Sequence, residues 1–524
     1  AGPGSATPAT IPPGGGAQAP PLLITGFIFL CLTCFARSAE IHSNGTGGGP
    51  WSQAATWHGG KIPASNDTAV IAMRDSVVFD RAGTEEPSCA DLLIDPEGVL
   101  SFKKMPGRLV LTVRGTIRTY GIIRLDATGA EAGIQELRTA PRDGARPEVV
   151  LLENGALMAY GRETEGTNAR NVVVAGPPNV QIIANDKCTV DFQNVAVTGL
   201  TVRAYYLDNT GNKPNERVNF IGCLFSGTAK LYLYACDTPA IRNNWFGTTH
   251  KAADHSAVYI AYCSLAQVSG NTFRGTYERA IQSEYDTDST FSGNTIEDSV
   301  FGIYWANGKQ AMIKHNRISR CTWGVFLHTT TGVAEDTIVE KAVTAFALTA
   351  LTMQLTDCRV QDAGTNRVLQ MENSSVTLLN CNIADDQIKA TGTPPAPDFA
   401  ENMQYVVARL NGTVPADTQV EMQTAPVSGG VPAGKAELNV RNSPARVASE
   451  GWTPMPRSMR ALTVRSWRLG PDGKVARAPF YDLIVSVLEA GKPARELKRQ
   501  LVEPQDKWYR TDPNERVPTV EISL

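Results

Sequence analysis

Short triplets of the form Asn-x-apolar recur through the middle of this chain, and their spacing constrains the fold more than any other feature. The clearest copies begin at Asn244, Asn271, Asn294 and Asn316, with variants at Cys223, Asp336, Cys358 and Cys381. Successive copies are 21, 27, 23, 22, 20, 22 and 23 residues apart. Helical repeats are longer, at about 33 to 47 residues, and leucine-rich repeats need a leucine pattern that this region lacks. The period therefore indicates a solenoid with coils of about 22 residues.

Coils of this length, made of short strands and turns rich in Gly, Asn and Asp, fit a right-handed parallel β-helix. Strands would stack about 4.8 Å apart, so equivalent side chains form columns. Stacked asparagine amides can bond to one another and tolerate left-handed backbone, so we interpret the Asn column as scaffold. Cys223, Cys358 and Cys381 share that column and are expected to be buried free thiols.

Two coil sequences, SGNTFRGTYERAIQSE and KHNRISRCTWGVFLHT, show the repeat most clearly. They resemble the right-handed parallel β-helix repeat family, over about Asn171 to Asp386. The resemblance implies the fold but says little about function, because lyases, hydrolases, isomerases, phage tailspikes and adhesins share this fold.

The preceding segment carries a second resemblance. Trp51 and Trp57 are followed by Gly59-Gly60-Lys61-Ile62-Pro63 and later by Gly115-Thr116-Ile117-Arg118 and Gly121-Ile122-Ile123-Arg124. This looks like the eight-glycine (G-eight) domain, found at the start of β-helices in secreted and cell-surface proteins, including animal hyaluronan-degrading ones. We expect the two Trp side chains to plug the first coil rather than to stack on sugars.

The start of the chain bears on its location. Residues 22–35 are an uncharged apolar run, which has the length of a signal-peptide core and is shorter than the roughly 20 residues of a membrane span. We therefore predict a protein that is secreted or at the cell surface, with an uncleaved N-terminal membrane anchor as the alternative. A formal net charge of -3 argues against a nucleic-acid partner.

Composition and periodicity divide the chain into five segments. They are a leader with a signal peptide or anchor (1–38), an eight-glycine-like segment with the first coils (39–170), the β-helix (171–389), a linker (390–400) and a small β-sandwich-like domain (401–524). The fold class predicted is thus all-β, with an N-terminal β cap, a solenoid and a C-terminal β domain.

One strand of each coil can be aligned without gaps, which predicts the side chains that face solvent. Period-two alternation sends Leu231, Val258, Ile281, Ile303 and Val325 inward. The outward column, which we call the aromatic strip, is Tyr232, Tyr259, Gln282, Tyr304 and Phe326. A second outward column is Tyr234, Ala261, Glu284, Ala306 and His328. Outward rings along the axis predict a surface for an extended glycan, because ring faces stack on the C–H surfaces of sugars.

Ionisable residues lie beside the aromatic strip. Glu284 and His328 are two coils apart in one column, and aligning Asp254-His255 with Tyr277-Glu278 places His255 and Glu278 on neighbouring coils. Polysaccharide lyases need a base and a cation, whereas hydrolases need two carboxylates about 5 to 9.5 Å apart. The predicted catalytic residues are Glu284, Glu278, His255, Arg279 and His328. Lys309 joins Tyr234 and the aromatic strip as predicted substrate-binding residues.

Asp286 and Asp288 follow the strand that ends at Glu284, opposite Asn307 and Lys309. A solvated turn is the simplest interpretation, and a weak Ca²⁺ site is the alternative. Ca²⁺ is therefore the one cofactor that the sequence suggests.

The function predicted is binding of an extended polysaccharide and its cleavage, by elimination or by hydrolysis. The alternative is a non-enzymatic surface or matrix protein that uses the helix as a spacer and the aromatic strip as a glycan-docking face. The sequence contains no Gly-His-Gly with paired Asp, no nucleophile elbow, no P-loop and no HExxH. No catalytic residue can therefore be carried over from a known enzyme family.

Overall fold

A computed structural model describes residues 39–82, 86–142, 147–164, 169–185, 187–205, 217–247, 252–363, 368–411, 419–426, 459–477, 481–488, 495–502 and 519–523. These residues form an all-β parallel solenoid of about 13 turns, which confirms the predicted fold class. The described helices are three short 3-10 turns, Ala54–Thr56, His58–Gly60 and Asp385–Gln387. No helix in this part of the chain is long and apolar enough to cross a membrane. The predicted leader, 1–38, lies outside the described residues.

A complete coil carries three strands in succession, and each strand pairs in parallel with its equivalent in the next coil. Gln267–Ser269, Thr272–Arg274 and Tyr277–Glu284 form one such coil. Val268 pairs with Phe291, and Ile281 pairs with Ile303, with no shift in register at either position. The stacked strands form three faces, named first, second and third in the order in which a coil crosses them.

The first face contains the strands equivalent to Gln267–Ser269. They are Gly48–Pro50, Ser76–Phe79, Val99–Phe102, Ile122–Asp126, Ala156–Tyr160, Thr189–Gln193, Arg217–Ile221, Ala240–Arg242, Gln267–Ser269, Thr290–Ser292, Ala311–Lys314, Gly332–Glu335, Thr352–Thr356, Ser375–Leu379 and Ala400–Asn411.

The second face contains the strands equivalent to Thr272–Arg274. They are Ser88–Cys89, Arg108–Val113, Ile134–Thr139, Leu224–Ser226, Trp245–Gly247, Thr272–Arg274, Thr295–Glu297, Arg317–Ser319, Ile338–Glu340 and Arg359–Gln361. Two longer strands, Val172–Ala184 and Val195–Tyr205, cross from the second face to the third.

The third face contains the strands equivalent to Tyr277–Glu284. They are Glu40–His42, Thr68–Ile71, Asp91–Ile94, Ile117–Thr119, Glu148–Leu151, Lys230–Tyr234, Ala252–Ala261, Tyr277–Glu284, Phe301–Ala306, Trp323–His328, Thr344–Thr349, Leu369–Glu372 and Ile388–Thr391.

Apolar side chains fill the interior along the whole solenoid, and its first coils are plugged by tryptophan as expected. Trp51 and Trp57 are 1% and 2% exposed, and their ring centroids are 4.8 Å apart. Phe79 packs against Trp51 at 5.6 Å. Since both Trp rings are buried, they are not available to stack on a sugar. They close the apolar core at this end instead.

The asparagine column forms the predicted hydrogen-bonded ladder. The side-chain amide of Asn244 donates to Asn271 Oδ1, that of Asn271 to Asn294 Oδ1, and that of Asn294 to Asn316 Oδ1, each at 3.0 Å. Two details of the prediction are wrong. Thr337, not Asp336, occupies the column after Asn316, because Arg317 pairs with Ile338. The left-handed residues are those just before the ladder, such as Asn243 (φ 55°), rather than its members.

The cysteines are interior residues. The eight cysteines of the described coils are buried and none forms a disulfide. Cys358 and Cys381 lie on neighbouring coils in the asparagine column, as predicted. Burial raises the pKa of Cys223 to about 12, so its thiol stays protonated.

The coils continue through the stretch interpreted as a linker. Ile388–Thr391 pairs with Leu369–Glu372, and Ala400–Asn411 pairs with Ser375–Leu379, both in parallel. The prediction of a linker at 390–400 is therefore wrong, because strands paired with the preceding coil lie on both sides of this Pro-rich stretch. Antiparallel pairing begins where Ala400–Asn411 meets Met459–Leu469.

The remaining described strands follow the solenoid. Val475–Arg477 pairs with Met459–Leu469, and Thr519–Ser523 pairs with Ala400–Asn411. Gln419–Pro426, Tyr481–Leu488 and Arg495–Val502 form a separate antiparallel sheet. Most side chains of these strands lie outside the described ones, and the β-sandwich stays a prediction.

Candidate functional site

The third face presents the side chains that the alignment predicts. Leu231 pairs with Val258, and the register continues without a shift through Ile281, Ile303 and Val325. These five side chains are at most 1% exposed. The members of the aromatic strip, Tyr232, Tyr259, Gln282, Tyr304 and Phe326, are half-buried on the outer surface. The inward and outward assignment is confirmed for these two columns. In the second predicted outward column, Tyr234, Glu284 and His328 are half-buried, whereas Ala261 and Ala306 are buried.

The rings of the aromatic strip stack on one another. The Tyr232 and Tyr259 ring centroids are 4.5 Å apart with planes at 22°, and those of Tyr304 and Phe326 are 5.2 Å apart at 3°. Because neighbouring rings cover each other's faces, the surface offers mainly ring edges and hydroxyl groups. Sugar stacking on this strip stays a prediction, and the faces between stacked rings are not available for it.

An arginine lies over one ring of each stacked pair. The guanidinium carbon of Arg203 lies 5.2 Å from the Tyr232 centroid, and that of Arg279 lies 5.0 Å from the Tyr304 centroid. Arg279 also forms a 2.8 Å ion pair with Glu278. Cation–π contacts of this kind hold the rings and the cations in fixed positions.

Glu284 is the carboxylate at the centre of this surface. Its Oε2 accepts a hydrogen bond from the Tyr259 hydroxyl at 3.1 Å, and its Oε1 accepts one from Gln282 Nε2 at 2.7 Å. Burial and the Glu284 charge raise the pKa of Tyr259 well above its usual value. Burial and the Glu284 charge also raise the pKa of Tyr304, and the positive charge of Arg279 partly offsets this increase. Glu284 is therefore a hydrogen-bond acceptor that its two donors fix in position, beside protonated tyrosine hydroxyls.

Sequence reasoning missed the most exposed rings of the surface. Tyr262 and Tyr285 are 51% and 47% exposed, and they stack at 4.7 Å with planes at 6°. Tyr234 lies 5.1 Å from Tyr262 and completes what we call the tyrosine cluster. Tyr262 and Tyr285 each directly follow an outward position of the second column, which is the signal that could have identified them. Both have left-handed backbone, with φ of 54° and 58°.

A second missed group lies on the other side of the aromatic strip. Phe301 and Trp323 occupy one column and stack at 6.1 Å. Phe301 meets Tyr304 edge to face at 5.7 Å, and Trp323 meets Phe326 in the same way at 6.0 Å. Alternation counted from Ile303 and Val325 would send Phe301 and Trp323 inward. They face outward, and the neighbouring Gly302 and Gly324 are turned inward instead, where interior atoms leave no room for a Cβ.

The predicted catalytic residues are not brought to one point. Glu278 and Glu284 lie six residues apart on one strand, which separates their backbones by about 20 Å. That is beyond the carboxylate spacing of either class of glycosidase, so these two do not form a hydrolase pair. His328 lies in the Glu284 column with Ala306 between them, about 10 Å away at the backbone. Its ring contacts Thr329 Oγ1 at 3.2 Å.

The His255 assignment is corrected in part. Tyr277 pairs with Ala252, not with Asp254, and a bulge separates Ala252 from Ser256. Ser256 pairs with Arg279, so one residue back the register places His255 beside Glu278, as predicted, although residues 253–255 together face this one position in the bulge. Its side chain lies outside the described ones.

Asp286 is not part of a solvated turn. It is 0% exposed, and Cys263 N donates to its Oδ1 at 2.6 Å while the Ser283 hydroxyl donates to its Oδ2. Burial raises the pKa of Asp286 to about 7; the two hydrogen bonds act in the opposite direction, and the Glu284 charge adds to the increase. An inward carboxyl of this kind is a structural group of the coil.

The predicted calcium ligands do not converge. Thr287, not Asp288, pairs with Lys309, and Lys309 is exposed. Among the described residues, no group of three or more His, Cys, Asp or Glu side chains is placed to hold a metal ion. With Asp286 turned inward, Asp288 is the one member of the predicted pair on the surface side of the turn.

The comparisons with known proteins agree with this geometry. Residues 248–383 match the family model described as right handed beta helix region. No curated protein matches the chain. The matched stretch contains Glu284, Tyr262 and Tyr285, together with most of the aromatic strip. The chain thus contains a right-handed parallel β-helix repeat region, which carries the candidate site on its third face.

Proposed function

We propose that the chain binds an extended polysaccharide along the third face and cleaves it beside Glu284. The observation that carries the proposal is the Glu284 carboxylate, held by Tyr259 and Gln282 between the aromatic strip and the tyrosine cluster. Half-exposed tyrosine rings offer both apolar surface and hydroxyl groups, a combination that suits sugars. The columns run along the solenoid axis, so an extended chain can contact several coils at once.

Elimination fits this surface better than hydrolysis. Glu278 is about 20 Å from Glu284 along the strand, so it does not supply the second carboxylate that hydrolysis requires. In an elimination, Glu284 would take the proton next to a uronate carboxyl, and the electron pair would form a carbon–carbon double bond as the glycosidic oxygen leaves.

The leaving oxygen needs a proton, and Tyr259 is placed to provide it. Its hydroxyl is protonated at neutral pH, as in an ordinary tyrosine, and burial and the Glu284 charge raise its pKa further. The 3.1 Å hydrogen bond to Glu284 then lets the proton return from the carboxyl group to the phenol. Arg279, which lies over the Tyr304 ring, is the cation we assign to the charge that develops on the substrate.

The test is a panel of uronic-acid and neutral polysaccharides, followed by absorbance of the unsaturated product and by reducing ends. Glu284→Gln should lower turnover at least about 100-fold and leave binding within about 2-fold. Glu148→Gln, an exposed carboxylate on the same face in an earlier coil, is the matched control. Reducing ends without an unsaturated product would exclude elimination, and full activity in Glu284→Gln would exclude this site.

A second candidate function is a non-enzymatic glycan-docking face. It is favoured by the stacked rings and by the hydrogen bonds that occupy both Glu284 oxygens, which together make a rigid surface. Tyr285→Ala should weaken glycan binding about 5- to 10-fold under either function, whereas Tyr120→Ala, an exposed tyrosine elsewhere, should not. Binding that depends on Tyr285 without turnover of any polysaccharide would establish the docking function.

A further inference from the structure

A cavity of about 330 Å³ lies at the C-terminal end of the solenoid, on the first face and away from Glu284. Strands Thr352–Thr356 and Ser375–Leu379 form its floor, and the segment before Ala400 folds over one side. Arg468, from the antiparallel strand Met459–Leu469, closes it. Its volume is at the lower end of the range for small-molecule sites, about 300 to 1,000 Å³. One or two sugar-sized rings fit such a space, and an extended chain does not.

Hydrogen bonds hold the wall of the cavity in place. The Ser375 hydroxyl donates to the Asp398 carbonyl oxygen at 2.9 Å and accepts from Ala396 N at 3.0 Å. Ser375 is 3% exposed, so this anchor is buried beneath the wall. The wall is therefore formed before any ligand arrives, which reduces the ordering that binding must impose.

The charged side chains that face the cavity are of both signs. Asp398 Oδ2 lies 3.6 Å from Arg468 Nη1, and the Thr377 hydroxyl donates to Glu401 Oε1 at 2.9 Å. Glu401 and Arg468 are directly opposite each other on paired strands. The Thr352 hydroxyl lies exposed at the rim. The lining thus combines two carboxylates, one guanidinium and hydroxyl groups within a small volume.

This combination selects against simple ions. A free anion would meet two carboxylates. A free cation would have to compete with Arg468 for Asp398 and with the Thr377 hydroxyl for Glu401. A neutral ligand with several hydroxyl groups can instead donate to the carboxylates and accept from the guanidinium and from threonine. Pro397, which is exposed, adds apolar surface that suits the C–H side of a sugar ring.

We propose that this cavity binds a single neutral sugar residue, at the end of a glycan or as a free mono- or disaccharide. The site is independent of the one on the third face, because it lies on another face of the solenoid and uses none of the same residues. A glycan that binds along the third face would therefore not compete for it.

The test is saturation-transfer NMR and calorimetry with glucose, galactose, mannose and N-acetylglucosamine as probes, and with glucuronate and glucosamine as charged counterparts. At least one neutral sugar should bind more tightly than either charged counterpart. Thr352→Phe, which fills the cavity from its exposed rim, should weaken that binding at least about 10-fold. Tyr285→Ala, on the other site, should leave it unchanged.

Glu401→Gln provides a second variant that keeps the side-chain shape. It should weaken neutral-sugar binding several-fold, and it decides the matter if circular dichroism shows that Thr352→Phe is misfolded. The proposal is overturned if none of the neutral sugars binds, if glucosamine or glucuronate binds more tightly, or if the folded variants bind as well as the wild type. These results do not depend on the third-face site, because that site is tested separately by the Tyr285→Ala and Glu284→Gln variants.

Discussion

Asp286 should make the stability of the solenoid depend on pH. Its carboxyl is buried, and burial raises its pKa from 3.8 to about 7. Between these values the folded chain holds a proton that the unfolded chain has released. The stability contributed by this group is therefore greatest below about pH 4 and is lost as the pH rises to about 7. At 1.36 kcal/mol per pH unit, the pKa difference corresponds to about 4 kcal/mol.

Asp286→Asn removes this titration and keeps one oxygen that can accept from Cys263 N. Urea unfolding of the wild type and the variant should be compared from pH 4.5 to 8.5, followed by tryptophan fluorescence. Over this range the wild type should lose about 3 kcal/mol of stability relative to the variant, since about 1 kcal/mol of the total is already lost at pH 4.5. Subtracting the unfolding free energies of the two proteins at each pH removes the contributions of the titratable groups that they share.

Asp288→Asn is the matched control, two residues further along and only half-buried. It should follow the wild-type curve. If the wild type and Asp286→Asn respond to pH in parallel, the carboxyl does not carry its raised pKa. The assignment of Asp286 as a buried group would then be wrong.

Two further predictions concern the interior. Asn294→Ala should lower the stability by about 2 to 4 kcal/mol, measured by thermal unfolding, because it leaves the Asn271 backbone N–H without its acceptor and removes one of the two hydrogen bonds to Asn316 Oδ1 in a buried column. An unchanged midpoint would show that the ladder is not a stabilising element. The cysteines of the described coils should resist alkylation at pH 8 and react only after denaturation, since burial raises the pKa of Cys223 and Cys321 to about 12. Rapid labelling of the folded protein would contradict their burial.

The strand interiors could be predicted from sequence because period-two alternation and a constant coil length act together. A slip of one residue would turn Ile281 or Val325 outward, so the register is tightly specified. The same argument fails across a turn. Tyr285 has left-handed backbone, which redirects the chain and sends Asp286 inward, although counting from Glu284 suggests an exposed turn. Alternation carries no information about such residues.

The candidate site was only partly predictable for a related reason. The positions of Glu284 and Tyr259 follow from the register, but the hydrogen bond between them depends on side-chain geometry. Ring stacking also depends on geometry, so the covering of the Tyr232 and Tyr304 faces could not be deduced from their columns. Composition misled at 390–400, because prolines that are typical of a linker here occupy the turn between two paired strands.

The asparagine ladder has a direction. The bonds between neighbouring members all donate towards the C-terminal coil, from Asn244 to Asn271, from Asn271 to Asn294 and from Asn294 to Asn316. The other amide hydrogen donates back to a backbone carbonyl of the preceding coil, so each of these side chains ties together the coils on both sides of it. Asn271 and Asn294 are each both donor and acceptor, and one can take the place of the other if a whole coil is gained or lost between them. The ladder therefore makes this part of the solenoid modular. Its length can change in steps of one coil without exposing an unpaired amide.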